Sequence, residues 1–209
     1  MIGVINYKAG NAPSVMNALR HIGRTHTARF VERPEDFDGI SHVILPGVGS
    51  AGETMRSLAE SGLIEPLERS VLKEKKWFLG ICVGMQLLLS HSEEENADCL
   101  GWIPGQVRRF GSELICPQMG WNAVSFKPGN PLAKGLGPAE YVYFVNSYYA
   151  LPDREEDVGG TTDYGGKFCS CIWRDNIFGT QFHAEKSGET GLTILQNFCG
   201  LSNKGTTSC

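Results

Sequence analysis

The chain has 209 residues, of which 41% are hydrophobic and 20% charged, and its formal net charge is −4. This length is enough for one sizeable hydrophobic core, and the composition is that of an ordinary globular protein. The negative net charge argues against a nucleic-acid-binding surface. No apolar run approaches the roughly 18 residues that a membrane-spanning helix needs, and the N-terminus lacks the features of a secretory signal.

In the first half of the chain, apolar strands alternate with amphipathic helices. The predicted elements are a strand at Met1–Asn6, a turn at Tyr7–Asn11, a helix at Pro13–His21, strands at Thr25–Val31 and His42–Leu45, a helix around Met55 and Leu58, a helix at Ile64–Lys75, a strand at Trp77–Ile81 and a leucine-rich helix after Cys82. This alternation predicts an open, mainly parallel central sheet that is flanked by helices.

The second half is rich in short strands that are separated by turns. Strand-like segments lie at Val107–Phe110, Ala123–Phe126, Tyr141–Tyr149, Gly159–Asp163, Phe168–Ile172 and Ile177–Gln181. A closing helix is predicted at Gly188–Phe198, and a polar segment follows it. We therefore predict one α/β domain over residues 1–201, with antiparallel additions in its second half, and a polar tail over residues 202–209.

Seven cysteines are present, an odd number that cannot pair completely within one chain. No Cys-x-x-Cys pair occurs, and Cys169 and Cys171 stand too close in sequence for an ordinary zinc pair. We therefore expect reduced thiols, no metal site, no cofactor and a cytoplasmic location.

One cysteine has a distinctive setting. Cys82 stands between Gly80 and Gly84, at the point where an apolar strand meets the leucine-rich helix. This Gly-x-Cys-x-Gly spacing is the cysteine version of the nucleophile elbow, in which small residues permit a sharp turn that presents the side chain. The N-terminus of the following helix would favour a thiolate. The spacing leaves open the alternative that Cys82 is only a small buried apolar residue.

A thiol nucleophile requires a base, and His183 has the most suitable position. It follows the last predicted strand, and at the strand period of two Glu185 points the same way, where it could orient the imidazole. The carboxyl edge of an open α/β sheet is also where such sites lie. The glycines of Pro46–Ser50 follow another strand and would let backbone N–H groups approach an oxyanion, although a plain strand-to-helix turn is the alternative.

Together these motifs resemble the class I (triad) glutamine amidotransferases. The resemblance rests on Gly80–Gln86, Pro46–Gly49 and Gln181–Ser187, and on the order of the cysteine, histidine and glutamate. Within that family the chain resembles the glutaminase subunits of imidazole glycerol phosphate synthase, through the segments Asn6–Asn11, Met119–Asn122 and Tyr143–Tyr149.

The resemblance implies a glutaminase that needs no cofactor and works in a heterodimer. Glutamine would be hydrolysed to glutamate and ammonia, and the ammonia would pass through a channel to a (β/α)8-barrel cyclase. The joint products would be imidazole glycerol phosphate and aminoimidazole carboxamide ribonucleotide, for histidine biosynthesis.

The same resemblance implies a role for each matching residue. The triad is Cys82, His183 and Glu185. The implied oxyanion donors are the backbone N–H groups at Gly47, Val48, Gly49 and Val83, the implied contacts of the substrate glutamine are Gln86, Glu94 and Ser147, and the positions facing the partner are Asn11 and Lys186.

The chain departs from the usual family pattern at several positions. Gln118 and Asn146 each replace a histidine, Ala184 replaces the proline between the catalytic histidine and glutamate, and Ser50-Ala51 replaces Ala-Phe. None of these changes removes a catalytic side chain. They leave open a diverged paralogue that supplies ammonia to another synthase, such as one acting on a surface-polysaccharide sugar. A catalytically silent binding or regulatory module is the third hypothesis.

Overall fold

The computed structural model describes residues 1–7 and 11–202. Residues 8–10 of the predicted turn and 203–209 of the predicted tail therefore lie outside the described residues, and the division into a domain and a tail stays a prediction. No helix in the part of the chain that the structure describes is long and apolar enough to cross a membrane.

Thirteen strands form the sheet structure within the described residues. In chain order, β1 to β13 are Ile2–Ile5, Ala28–Val31, His42–Gly47, Trp77–Cys82, His91–Ser92, Ala97–Asp98, Gly105–Arg109, Gln118–Phe126, Glu140–Asn146, Tyr148–Pro152, Val158–Asp163, Lys167–Arg174 and Ile177–Thr180.

Five α-helices accompany these strands in the described ranges. They are α1 Ala12–His21, α2 Ala51–Glu60, α3 Ile64–Glu68, α4 Val83–Gln86 and α5 Gly188–Cys199. A wide π-helical turn at Arg69–Lys73 continues α3, and short 3-10 turns occupy Pro34–Phe37, Glu94–Asn96, Pro131–Ala133, Glu155–Asp157 and Ala184–Lys186.

The predicted sheet architecture is confirmed. Strands β2, β1, β3, β4 and β13 lie side by side and all pair in parallel. Beyond them β12, β10 and β7 continue the sheet in antiparallel pairs, and β11, β8 and β9 form an antiparallel extension from β12. The first half of the chain thus builds the parallel core, and most of the second half builds the additions.

The parallel strands form the centre of the hydrophobic core. Every residue of β1, β3 and β13 is buried, which explains why these segments are continuous apolar runs in the sequence. The register of β3 against β4 places Gly47 opposite Cys82. The turn that follows β3 and the turn that follows β4 therefore meet at the same edge of the sheet.

The predicted helix after Cys82 is right in position and wrong in length, because α4 spans only one turn. The leucines after it are buried but not helical, and the carbonyl groups of residues 87–89 accept hydrogen bonds from the N–H groups of Leu100, Ile103 and Gly101. This packing ends the helix early. A single turn carries a weaker dipole than the predicted helix, so the helix contributes less to any thiolate than we expected.

Two strand predictions also need correction. The predicted strand at Tyr141–Tyr149 is two strands that separate at Ser147, because β9 pairs with β8 whereas β10 pairs with β7 and β12. The short strands β5 and β6 were not predicted. Strands of two residues carry no readable alternation, and pairing with distant segments decides where a long apolar run is interrupted.

Candidate active site

Cys82 lies at the end of β4 on the predicted nucleophile elbow. Its backbone has φ +55° and ψ −111°, a conformation that residues other than glycine rarely adopt. A Cβ atom on Gly84 would lie 2.0 Å from the Leu45 carbonyl oxygen, and one on Gly80 would lie 2.3 Å from the Gly84 carbonyl oxygen. Gly84 therefore permits close packing of the elbow against β3, and Gly80 permits close packing of β4 against α4.

His183 and Glu185 form the predicted hydrogen-bonded pair. The distance between His183 Nδ1 and Glu185 Oε1 is 2.9 Å, and both side chains are buried. The reason that we gave for their proximity is wrong, because the 3-10 turn Ala184–Lys186 brings the two side chains together and strand alternation does not. With Nδ1 bound to the carboxylate, Nε2 is the nitrogen that is left to serve the cysteine.

A serine that the sequence analysis missed holds this turn against β9. Ser187 Oγ donates to the His183 carbonyl oxygen at 2.6 Å and accepts from the Tyr143 N–H at 3.0 Å. The His183 N–H in turn donates to the Tyr143 carbonyl oxygen at 2.9 Å. A serine directly before a helix is usually interpreted as a helix cap, so nothing in the sequence indicated that Ser187 holds this turn.

The electrostatics of the triad favour a charged imidazole. Burial, the strongest influence, lowers the pKa of His183, but hydrogen bonds and charge interactions with Cys82 and Glu185 outweigh burial and raise that pKa to about 10. His183 therefore remains protonated near neutral pH. A protonated histidine beside a cysteine favours the thiolate form, which is the nucleophilic form.

A cavity of about 320 Å³ opens in front of Cys82. Its lining contains most of the residues that the resemblance implied, namely Val48, Gly49, Cys82, Val83, Gln86, Glu94, Ser147, His183 and Lys186. Pro117, Val145, Asn146 and Tyr148 complete the wall. A cavity of this size with a nucleophile, a base and an acidic side chain suits a small polar substrate.

Three of the implied residues do not line the cavity. Gly47 belongs to β3, where an added Cβ would lie 2.6 Å from the backbone nitrogen of Gly84, so it permits close packing against the elbow. Glu185 is hydrogen-bonded to His183 Nδ1 and does not itself line the cavity. Asn11 precedes α1, and its Oδ1 accepts a hydrogen bond from Ser14 Oγ at 2.8 Å.

The implied oxyanion turn is connected to the 3-10 turn Glu94–Asn96. Gly49 has φ +87°, and Ser50 caps α2 by accepting from the Glu53 N–H at 3.2 Å. Ser50 Oγ also donates to Glu95 Oε1 at 2.5 Å, and the Ala51 N–H donates to Glu94 Oε2 at 3.1 Å. These bonds join the turn after β3 to the cavity wall.

Glu94 is half-buried at the cavity wall, and its environment affects its charge. Burial, the strongest influence, raises the pKa of Glu94, while the hydrogen bond from the Ala51 N–H lowers it. A bound ammonium group would replace part of the lost hydration and favour the ionised carboxylate.

Tyr7, which carried no functional signal in the sequence, is hydrogen-bonded to the implied oxyanion turn. Its hydroxyl donates to the Pro46 carbonyl oxygen at 2.9 Å. Burial raises the pKa of Tyr7 to about 12, and the neighbouring Cys82 contributes to the rise. Tyr7 therefore remains a neutral hydrogen-bond donor over the working range of pH.

The two unusual amides, Gln118 and Asn146, face each other across the β8–β9 ladder and are buried. Both side-chain polar atoms of Gln118, and Oδ1 of Asn146, have no hydrogen-bond partner among the described residues. Asn146 Nδ2 donates to the Tyr148 carbonyl oxygen at 2.9 Å.

The described residues contain no group of three or more His, Cys, Asp or Glu side chains that is placed to hold a metal ion.

Comparisons with known proteins agree with this geometry. The family model of the class-I glutamine amidotransferases matches residues 4–200. The imidazole glycerol phosphate synthase subunit HisH of Syntrophotalea carbinolica is 42% identical over 206 residues, which cover 95% of this chain and 98% of the relative. The subunit of the same name from Chloroflexus aurantiacus is 45% identical over 203 residues and covers 95% of this chain and 94% of the relative.

Solved structures show the same fold at lower identity. A crystal structure of a glutamine amidotransferase superposes with a TM-score of 0.73 at 19% identity and covers 95% of this chain and 98% of the other. The structure of PurLQS from Thermotoga maritima gives a TM-score of 0.72 at 17% identity and covers 95% of this chain and 96% of the other.

Proposed function

Because the chain belongs to the class-I glutamine amidotransferase family, and within it to the HisH subunits of imidazole glycerol phosphate synthase, we infer that it is the glutamine-hydrolysing subunit of that enzyme in histidine biosynthesis. The observation that carries this function is the Cys82–His183–Glu185 arrangement at a cavity sized for an amino acid. The alternatives of a paralogue with another acceptor and of a silent module become outcomes of the test below.

In the first half of the reaction, the Cys82 thiolate attacks the side-chain amide carbon of glutamine. The negative charge that forms on the amide oxygen is stabilised by backbone N–H groups at Val83 and at Val48–Gly49, which line the cavity around the nucleophile. His183 donates its proton to the nitrogen as the carbon–nitrogen bond breaks, and ammonia leaves. A thioester between Cys82 and the glutamyl group remains.

In the second half, the neutral His183 removes a proton from a water molecule, and the resulting hydroxide attacks the thioester carbon. The carbon–sulfur bond breaks, glutamate leaves and the thiolate–imidazolium pair is restored. Glu185 orients the imidazole throughout, since its carboxylate holds Nδ1. The substrate is held by Gln86, Glu94 and Ser147, of which Glu94 offers a carboxylate to the α-ammonium group.

The partner surface that we propose is the outer face of the β8–β9 hairpin, formed by Met119, Trp121, Tyr141 and Tyr143. The first three are 67%, 56% and 65% exposed. Side chains alternate between the two faces of β9, so Val145 lies on the same face as Tyr141 and Tyr143. Val145 also lines the cavity. A barrel-type cyclase subunit that covers this face in a heterodimer would receive ammonia near its point of release. Asn11 and Lys186 would then transmit nucleotide binding to the glutaminase site.

The unpaired thiols support one further proposal. Cys82, Cys169 and Cys171 are free in the structure, as expected for a protein in a reducing compartment. On this ground we propose a cytoplasmic location.

Ammonia release from glutamine tests the function. The purified chain is assayed alone, with the cyclase subunit, and with the cyclase and its nucleotide, with Cys82→Ala as the inactive control. We expect low release alone and a large rise in the full mixture. No rise, with glutamine-protected labelling of Cys82 by a glutamine-like electrophile, would favour the paralogue. Neither a rise nor selective labelling would favour the silent module.

A further inference from the structure

Gln181 connects the nucleophile to a substrate-binding residue. It directly follows β13, the strand that lies beside β4, and its side chain is completely buried. Gln181 Nε2 lies 3.7 Å from Cys82 Sγ, and Gln181 Oε1 lies 3.1 Å from Gln86 Nε2. One amide group therefore contacts both the reacting sulfur and a side chain of the cavity wall.

A backbone carbonyl sets the direction of this hydrogen-bonded chain. The Tyr148 carbonyl oxygen can only accept, and Gln86 Nε2 donates to it at 3.1 Å. The second hydrogen of that same Nε2 goes to Gln181, so Gln181 presents its oxygen to Gln86. The NH2 group of Gln181 must then face Cys82. Gln86 is left with its oxygen free as an acceptor for a donor group of the substrate.

Besides His183, the sulfur has two polar contacts, and these favour opposite charge states. The Val145 carbonyl oxygen, 3.9 Å from Cys82 Sγ, can accept only from a protonated thiol. The Gln181 NH2 group can donate to sulfur and is strongest as a donor when the sulfur is negatively charged. An amide does not titrate, so this donor is present at every working pH, in addition to His183.

We propose that Gln181 is a positioning residue that stabilises the Cys82 thiolate and at the same time orients the Gln86 amide for substrate binding. The inference deepens the proposed glutaminase function and rests on it. Stabilisation of the thiolate raises the fraction of reactive sulfur before attack. It also helps the sulfur to leave as a thiolate when water cleaves the thioester.

Two substitutions separate the two roles. Gln181→Glu keeps an oxygen that can accept from Gln86, and in its ionised form it removes the donor to sulfur and adds a negative charge beside it. Gln181→Met has a similar volume and removes both contacts. Gln196→Met, on the exposed side of α5, is the matched control. The native titratable groups that surround Cys82 or line its cavity are the same in all three variants, namely His183, Tyr7, Glu94, Tyr148 and Lys186.

The test is the rate of Cys82 alkylation by iodoacetamide across pH, read by mass spectrometry on folded full-length chain, together with kcat and KM for ammonia release with the cyclase and its nucleotide. We expect both Gln181 variants to react about tenfold more slowly at pH 7, with a pH profile moved to higher pH, and the control to match the wild type. KM should rise in Gln181→Met but stay near the wild-type value in Gln181→Glu.

An unchanged pH profile in the folded variants would overturn the proposal, as would a loss of rate that is uniform over the whole pH range. If Gln181→Glu does not fold, as circular dichroism would show, Gln181→Met decides the thiolate role alone. The alkylation assay does not require turnover. A wild-type chain that releases no ammonia would therefore refute the proposed function, while the alkylation profiles would still decide whether Gln181 stabilises the thiolate.

Discussion

At the scale of single residues, the proposed mechanism depends on the charge of His183. Burial alone would make this imidazole neutral, but Cys82 and Glu185 raise its pKa from the ordinary 6.5 to about 10. In the proposed mechanism, the proton that His183 holds is the one that the departing ammonia takes up. Two neighbours that are capable of negative charge thus give a buried histidine the protonation state that the reaction requires.

Removal of the Glu185 charge should move the alkaline limit of activity. In Glu185→Gln the pKa of His183 falls from about 10, because one of the two groups that raise it becomes neutral. Ammonia release declines as pH rises through that pKa, since a neutral imidazole cannot protonate the leaving group. We therefore expect the alkaline limb of kcat/KM to begin at lower pH than in the wild type.

The measurement is a pH–rate profile of ammonia release with the cyclase present, and Glu189→Gln at the exposed start of α5 is the control. An alkaline limb that stays in place would refute this account. The same raised pKa stabilises the fold: the contribution is fully present below about pH 6.5 and is lost as pH rises toward about 10, because the unfolded chain releases the proton first.

At the scale of elements, the site depends on how closely the elbow packs against β3. Gly47 and Gly84 are the points where β3 and the elbow approach so closely that no Cβ fits, and Gly80 is the point where β4 and α4 do so. The positive φ of Cys82 is maintained by this packing, since the strained turn would otherwise relax. The position of Cys82 thus depends on the packing of β3, β4 and the turns that follow them.

Gly84→Ala should disrupt the elbow. The added methyl group would lie 2.0 Å from the Leu45 carbonyl oxygen, so α4 must move away from β3. We expect a loss of about 1–3 kcal/mol in the free energy of unfolding, measured with urea, and loss of ammonia release. Gly200→Ala, whose nearest new contact is at 3.4 Å, is the control. Equal urea midpoints for the two variants would show that the elbow tolerates the methyl group.

At the scale of the whole molecule, the candidate active site and an exposed apolar face are adjacent, because strand β9 contributes residues to both. Large apolar side chains on one face of a small hairpin are unusual unless another protein covers them. The β8–β9 hairpin presents Met119, Trp121 and Tyr141 beside the strand that leads to the cavity. This arrangement supports the proposed heterodimer, in which ammonia passes to the partner without entering the solvent.

Trp121→Ala should weaken binding of the cyclase partner without changing the basal glutaminase activity. An aromatic side chain at the centre of such a face is a typical anchor, so we expect about a tenfold higher concentration of cyclase for half-maximal stimulation. Basal ammonia release should remain within about twofold of wild type, because Trp121 does not line the cavity. Leu151→Ala, another exposed apolar residue on β10, is the control. Equal stimulation of both variants would place the partner elsewhere.

Local pattern in the sequence was sufficient for much of the fold and for the elbow that carries Cys82. The helix at 12–21, the buried runs of β1, β3 and β13, and the Gly-x-Cys-x-Gly elbow are each contained in a few consecutive residues. Hydrophobic periodicity and the conformational freedom of glycine act within such short segments, so these features can be predicted from the sequence alone. The resemblance then connected Cys82 with His183 and Glu185.

The tertiary structure decided what depends on residues that are distant in the chain. The length of α4 was set by hydrogen bonds from Leu100–Ile103, and the break at Ser147 was set by the different partners of β9 and β10. Gln181 reaches Gln86 across 95 positions of sequence. The sequence by itself determined which groups are available and where the backbone can turn. Only the packed structure decided which buried donor meets which acceptor, because long-range contacts outweigh local preference once water is excluded.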